Sequence, residues 1–373
     1  MKILYIIPYP SFFSQISNMG GHVAHVIGVL QGLKDLGHEV TVLSEESISL
    51  VDEIADRVIL VPCDTSGKLG RFLWNFKFVK TLSGLEQNVD FAYMRYSVGF
   101  SPFIAGLKKK LGKCPLMIEV NSFLSQRKPI VRFLEGRFMA AADYVLTVSE
   151  RNRDEMLRFF GSDRLKQLIV VTNGVDLSRF SDWESSVSRE WHSPVVFGYA
   201  GIIKDWYGLD AMIEGFKLLR SRVPSVSFKM IGDGPYRAVL EEKYREVEGL
   251  EFVGPKPFEK MPELLAGVDV LVNSATSQNA FQSPTKMFEY MASGRPILSA
   301  RTPQCEALLK GGEFGSLYEI DDVESFAVAA QSILADQAAA LAKARAARLE
   351  AESSHSWIAK CQLITGTISE GTK

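Results

Sequence analysis

Ser283-Pro284-Thr285-Lys286-Met287-Phe288-Glu289-Tyr290-Met291-Ala292-Ser293-Gly294-Arg295-Pro296 reads as a helix with its chemistry on one side. Ser283 suits an N-cap and Pro284 the first helical position. Gly294 ends the helix, and Arg295-Pro296-Ile297-Leu298 opens a buried strand. Lys286 and Glu289 are three residues apart and share a face near the helix start, while Met287, Phe288 and Met291 pack elsewhere. A helix N-terminus with a Lys in its first turn suits a phosphate. A carboxylate one turn further in suits the vicinal hydroxyls of a ribose. Two readings stand on these residues alone: a sugar-nucleotide pocket, or a surface ion pair at i, i+3.

Working outward, short strands rich in Val, Ile and Leu alternate with amphipathic helices. Residues 2–8, 40–44, 58–61, 91–94, 116–120, 144–148 and 168–171 read as strands of a first series. None alternates apolar with polar, which marks a parallel sheet covered on both faces. The polar stretch 181–193 reads as a linker. Residues 195–200, 227–231, 251–253, 268–272 and 296–299 form a second series. The expectation is two doubly wound α/β domains, 1–180 and 194–355, with a cleft between facing strand ends. Residues 337–352, rich in Ala, Arg and Leu, read as a helix.

Composition excludes several classes. At 373 residues there is room for two cores. A net charge of −2 gives no reason to expect nucleic acid. Residues 1–10 are apolar but short and broken by Pro8 and Pro10, so they read as a first strand rather than a signal peptide. Cys63, Cys114, Cys305 and Cys361 are scattered singly, with neither metal-ligand spacing nor a disulfide framework. A cytoplasmic protein with reduced thiols is the expectation. The loop from Tyr9 to Gly21 is too long for a Gly-x-Gly-x-x-Gly turn, which disfavours a dehydrogenase.

The pattern Ser-Pro-x-Lys-x-Phe-Glu-Tyr-Met-Ala-x-Gly-x-Pro resembles the donor-site signature of the GT-B glycosyltransferases, in the retaining group called family 4. Other pieces follow in the same order: Gly20-Gly21-His22, residues 142–150, Thr172-Asn173-Gly174-Val175-Asp176-Leu177-Ser178-Arg179-Phe180, Ile231-Gly232-Asp233-Gly234-Pro235 and Phe252-Val253-Gly254. The resemblance implies a GT-B fold of two Rossmann-like domains, and a C-terminal tail, 356–373, crossing back onto the first. It implies transfer of a sugar, with retention, from a nucleoside diphosphate sugar to a glycan, lipid-linked or small-molecule hydroxyl acceptor. No metal or other cofactor is expected, and the setting would be polysaccharide or glycoconjugate synthesis.

Carried residue by residue, the resemblance puts Glu289 on the ribose, and Lys286 and the helix start at Ser283 on the diphosphate; Lys204 matches no family position and is expected to supply, from the same loop, the charge missing at Ile202 and Tyr207. Gly201, Gly234 and the backbone of Asn279, Ala280, Phe281 and Gln282 would border the donor, with Gly20, Gly21 and His22 in a loop for acceptor or diphosphate. Asn121, where a strand ends, would contact a sugar; Glu119 beside it is alternatively a satisfied structural carboxylate. The chain departs from the family's usual pattern at the Asn121 strand end, where many relatives carry a His, and at three positions on the donor side. Ile202 and Tyr207 stand where relatives carry an Arg and a Lys that hold the diphosphate, and Phe281 stands where many carry a carboxylate. A non-catalytic scaffold on the same fold is therefore an alternative, and a sugar-nucleotide epimerase a third.

Residues 68–80 read as a helix. Leu69, Phe72, Leu73, Phe76 and Val79 form a stripe expected to pack on the sheet. Trp74 and Phe78 are expected to face out beside Arg71 and Lys77. Lys108-Lys109-Lys110, Arg127, Lys128, Arg132 and Arg137 add positive charge. Two readings stay open: peripheral contact with the inner face of a membrane, or ordinary packing beside a solvated charge run.

Overall fold

The structure, a computed structural model, describes residues 1–13, 21–63, 67–83, 85, 89–126, 128–165, 167–277 and 285–371. They fall into two compact units, Met1–Asn173 with Trp357–Lys373, and Gly174–Ser356.

The first unit runs β1 (Lys2–Ile6), α1 (Gly21–Asp35), β2 (Glu39–Ser44), α2 (Ser49–Ile54), β3 (Arg57–Leu60), α3 (Gly67–Thr81), β4 (Phe91–Arg95), α4 (Ile104–Leu111), β5 (Leu116–Val120), α5 (Arg132–Ala140), β6 (Tyr144–Thr147), α6 (Glu150–Phe160) and β7 (Leu168–Val170). The sheet is parallel throughout, in the order β3-β2-β1-β4-β5-β6-β7. The order reverses at β1/β4, where Leu4 sits between Thr41 and Ala92. Every residue of β4 and β5 is buried, as in a strand covered on both faces; the strands are apolar except for Arg95 and Glu119.

One face of this sheet is covered by α1 and the C-terminal helix Trp357–Gly371. Val26, Val29 and Leu33 pack with Trp357, Cys361 and Ile364. The two helices approach closely because α1 carries glycine where they touch: a Cβ on Gly28 would lie 2.1 Å from the Trp357 indole. The opposite face is covered by α3 to α6 through Trp74, Phe78, Leu107, Phe138 and Met156.

Here α3 corrects the sequence reading. Trp74 and Phe78 are buried, and Leu69, Phe72, Leu73 and Phe76 are exposed. The helix is apolar on two sides, so periodicity alone cannot choose which faces inward. The larger aromatic pair takes the core. The indole also finds an acceptor there, donating to the Val61 carbonyl at 2.6 Å.

The second unit runs α7 (Trp183–Ser188), β8 (Val195–Ala200), α8 (Leu209–Arg222), β9 (Val226–Ile231), α9 (Arg237–Lys243), β10 (Leu250–Gly254), α10 (Met261–Ala266), β11 (Val270–Asn273), α11 (Thr285–Ser293), β12 (Ile297–Ala300), α12 (Pro303–Leu308), β13 (Ser316–Tyr318), α13 (Val323–Ala335) and α14 (Gln337–Glu350). Its parallel sheet has the order β10-β9-β8-β11-β12-β13, reversing at β8/β11.

The chain therefore divides earlier than the sequence reading placed it, at Asn173/Gly174. The stretch read as a linker belongs to the second unit and contains α7. Val175, Phe180 and Val187 are buried there, and Arg348 of α14 lies over the Trp183 ring at 5.2 Å. Two apolar residues, Trp183 and Val187, are too few to show as a helical stripe in a polar run.

At the amino ends of β8 and β11 the second unit holds a buried charge. The Asp269 carboxylate accepts from Arg189 Nη2 (2.8 Å) and the Val196 amide (2.8 Å), and Arg295 Nη2 is 3.4 Å away. Arg295, the most voluminous fully buried side chain, also donates to the Val268 carbonyl at 2.7 Å. This cluster lies at the strand ends opposite the site described next.

Candidate functional site

Ligands of doubly wound sheets bind outside the carboxyl ends of the strands where the order reverses. In the second unit that is the end of β8 and β11, and α11 is pinned to it by Tyr290. The Ala200 amide donates to the Tyr290 hydroxyl at 2.9 Å, which in turn donates to the Val272 carbonyl at 3.3 Å. Met287, Phe288, Met291 and Ala292 are buried, and Gly294 takes a φ of 68° at the helix end. Arg348 donates to the Ala292 carbonyl at 2.6 Å. Lys286 and Glu289 are left half-buried on the accessible side.

Lys286 Nζ lies 3.7 Å from the centroid of the Tyr199 ring and 5.9 Å from that of Tyr207. Lys204 Nζ is 5.1 Å from the Trp206 ring and also 5.9 Å from Tyr207. The two lysines thus meet at one aromatic ring. No carboxylate among the described residues pairs with either. Burial pushes the Lys286 ammonium down to about 7, against the pull of the ring face. A half-buried cation without a counter-charge is an anion site in waiting.

The loop from β8 to α8 is held tightly. Gly201 donates to the Ile231 carbonyl (2.9 Å) and Ile203 to that of Asp233 (2.9 Å). A Cβ on Gly232, whose φ is 139°, would lie 1.9 Å from the Gly201 carbonyl oxygen. Gly201 itself has only 3.2 Å between a Cβ position and Lys286 Nζ. Gly234 lets the β9 loop close on Ile203, whose oxygen would be 2.2 Å from a Cβ there. Ile202 is exposed, and its carbonyl accepts from Tyr199.

Glu289 is not solitary. Its Oε1 accepts from Arg179 Nη1 at 3.1 Å, within a buried setting that raises the carboxyl above its ordinary range while Arg179 opposes the shift. Reasoning from the sequence missed Arg179, Tyr199 and Tyr290. Arg179 and Glu289 lie 110 positions apart, and no local signal joins them. Ser283, Asn279, Ala280, Phe281 and Gln282 lie outside the described residues, as does Gly20.

The first unit's candidates gather around the carboxyl ends of its strands. Gly21 opens α1. Half-buried His22 places Nε2 3.3 Å from the Phe12 carbonyl and packs edge-on against the Phe12 ring. Burial lowers its basicity. Asn121 directly follows β5 and is exposed. Glu119 is the satisfied carboxylate: Tyr93 donates at 2.7 Å, Arg95 at 2.5 Å, and His25 Nε2 is 2.8 Å away. Burial disfavours its charge, but Arg95 and His25 outweigh that and hold the carboxyl well below the usual range.

Two family models match the chain: "Glycosyltransferase Family 4" over residues 19–179 and "Glycosyl transferases group 1" over residues 194–336. Together they cover well over half of it. The chain belongs to the GT-B glycosyltransferases of this family. Among its relatives within the family is the phosphatidyl-myo-inositol mannosyltransferase of Mycolicibacterium smegmatis, 23% identical over 324 residues, which span 85% of this chain and 82% of that enzyme. The glycogen synthase of Mycobacterium tuberculosis is 26% identical over 230 residues, 61% of this chain. That match spans 54%, about half, of the synthase's own length. Among solved structures, Anabaena HepE in complex with UDP and glucose superposes with a TM-score of 0.73 at 18% identity, covering 99% of both chains. Sucrose-phosphate synthase of Thermosynechococcus elongatus gives 0.72 at 18% identity, over 100% of this chain and 99% of that one. Such likenesses speak to the fold. Among the described residues, no helix is long and apolar enough to cross a membrane.

Proposed function

We propose that this chain transfers a hexose from a nucleoside diphosphate sugar to a hydroxyl acceptor, with retention of configuration, in polysaccharide or glycoconjugate synthesis. The observation that carries the reading is the pair Lys204 and Lys286 at Tyr207, at the strand ends where a doubly wound sheet takes its ligand. In this reading the lysines and the N-terminal amides of α11 hold the diphosphate, and Glu289 holds the ribose. Structural neighbours bound to UDP and to UDP-glucose support a nucleotide-sugar donor. The negative charge of a departing diphosphate grows in the transition state, so cations placed beforehand lower the barrier. No dedicated protein base is required if a donor phosphate oxygen takes the acceptor proton.

A thermal-shift panel of UDP, GDP and TDP and their sugars tests the donor, since binding raises the unfolding temperature by mass action. Stabilisation by one nucleotide series supports the proposal; none across the panel removes it. The second reading, a non-catalytic scaffold, draws on exposed Ile202 and on Tyr207 at positions where relatives carry cations. Slow hydrolysis of the preferred donor without acceptor separates the two, because a scaffold would bind and not hydrolyse.

A further inference from the structure

The first unit carries an outer face that its own core does not use. On α3, Leu69, Phe72, Leu73 and Phe76 stand exposed, Leu69 at 72% and Phe76 at 66%. Ile130, in the 3-10 turn Pro129–Val131 that leads into α5, is 91% exposed, and Phe133 in the first turn of α5 is 62% exposed. The 3-10 segment Val98–Phe103 joins the two. Phe103 meets Phe72 edge-on with centroids 5.0 Å apart, and the same segment packs against α5. Both helices cover the same side of the sheet.

Cations are interleaved with these apolar residues: Arg71 precedes Phe72, Lys77 follows Phe76, and Arg132 precedes Phe133. Lys80, Lys128 and Arg137 add to them. In residues 67–81 and 128–140 the single acid is Glu135. It is fully buried and spent on internal bonds, accepting from Tyr96 and from the Leu124 and Ser125 amides. No carboxylate among the described residues pairs with Arg132, Arg137 or Arg164. A cleft of about 470 Å³ opens on this face, with Ile130, Phe133, Phe159 and Phe160 as its apolar walls and Arg132 and Arg164 as its cations.

We propose that this face docks on an anionic lipid bilayer. Phe72, Phe76, Ile130 and Phe133 enter the boundary between headgroups and acyl chains. The interleaved Arg and Lys meet lipid phosphates, and the cleft receives one headgroup. Charge complementarity selects this occupant: a chain of net charge −2 concentrates cations here and leaves no exposed acid in either segment. The centre of a protein–protein interface is depleted in Lys, whereas here Lys77, Lys80 and Lys128 stand among the exposed apolar side chains. The inference does not depend on the donor site.

Flotation of the full chain with vesicles tests it. Binding is expected to phosphatidylglycerol–phosphatidylcholine vesicles at low ionic strength, to weaken with salt, and to be absent with phosphatidylcholine alone. Phe72→Ser with Phe76→Ser should lower the partition coefficient by about tenfold or more. Arg132→Glu with Arg164→Glu should do so independently. Leu363→Ser, on the helix covering the other side of the sheet, should leave binding unchanged. Unfolding temperatures of all variants report whether each is folded. No flotation of wild-type protein at low salt, equal binding to neutral vesicles, or folded variants that bind as wild type would each overturn the proposal. So would a dimer in sedimentation velocity that Phe72→Ser with Phe76→Ser dissolves, since a second copy would then cover the face.

Discussion

Arg179 donates to Glu289 across 3.1 Å, tying the 3-10 turn Leu177–Phe180 to the accessible side of α11. The pair orients the carboxylate through Oε1, and Oε2 has no hydrogen-bond donor among the described residues. The pair also offsets part of the cost of holding a charge in a half-buried position.

Glu289→Gln keeps the shape and removes the charge. With the ribose role proposed above, nucleotide affinity should fall by about 1–3 kcal/mol, as for a hydrogen bond to a charged group. Calorimetry with the preferred nucleotide measures it. Arg179→Met should weaken binding too, and the double variant should lose less than the sum, because the two side chains act as one unit. Full affinity in Glu289→Gln would remove this residue from the pocket.

Lys286→Met should lower kcat more than it raises KM, since the leaving diphosphate gains charge in the transition state. Steady-state kinetics with the donor identified by thermal shift provides the test. A rise in KM at constant kcat would make Lys286 a binding residue only.

The pH behaviour of the same lysine has a definite sign. Burial holds Lys286 at about 7 in the free protein, so at pH about 8 it is mostly neutral. A bound diphosphate favours the ammonium form. Nucleotide binding near pH 8 should therefore take up a proton, and affinity should fall as pH rises above 7. Calorimetry in buffers of different ionisation enthalpy reads the proton count. Lys286→Met should abolish the uptake; uptake persisting in that variant would assign it elsewhere.

Glu119 predicts a stability effect. Its carboxyl is held below the ordinary range in the folded protein, so its contribution is complete above the unfolded Glu pKa and disappears as pH falls through the folded one. Glu119→Gln should cost about 3–5 kcal/mol at neutral pH, because Arg95 and His25 lose a buried partner. The gap to wild type should narrow in acid. Urea midpoints across pH report both quantities, and a gap independent of pH would contradict the assignment.

The residues 283–296 and the alternation of apolar runs with amphipathic helices carried the fold class, because a parallel sheet covered on both sides leaves short strands rich in apolar residues. The same stretch put Lys286 and Glu289 on one helix face, since that follows from helix geometry alone. Strand β13 went unread: Ser316-Leu317-Tyr318 has neither the Val and Ile richness that marked the equally short β7 nor the length to show a period.

What the chain could not declare locally was decided by packing. Helix α3 has two apolar sides, and only the fit of Trp74 and Phe78 into the sheet, with an acceptor for the indole, chose between them. The Lys204–Tyr207–Lys286 grouping joins a loop to a helix about 80 residues later, and the Arg179–Glu289 pair spans 110. Sequence sets residue type and local geometry. Which distant side chains become neighbours depends on strand order and on close approaches such as Gly232 against Gly201, and those exist only once the sheet has formed.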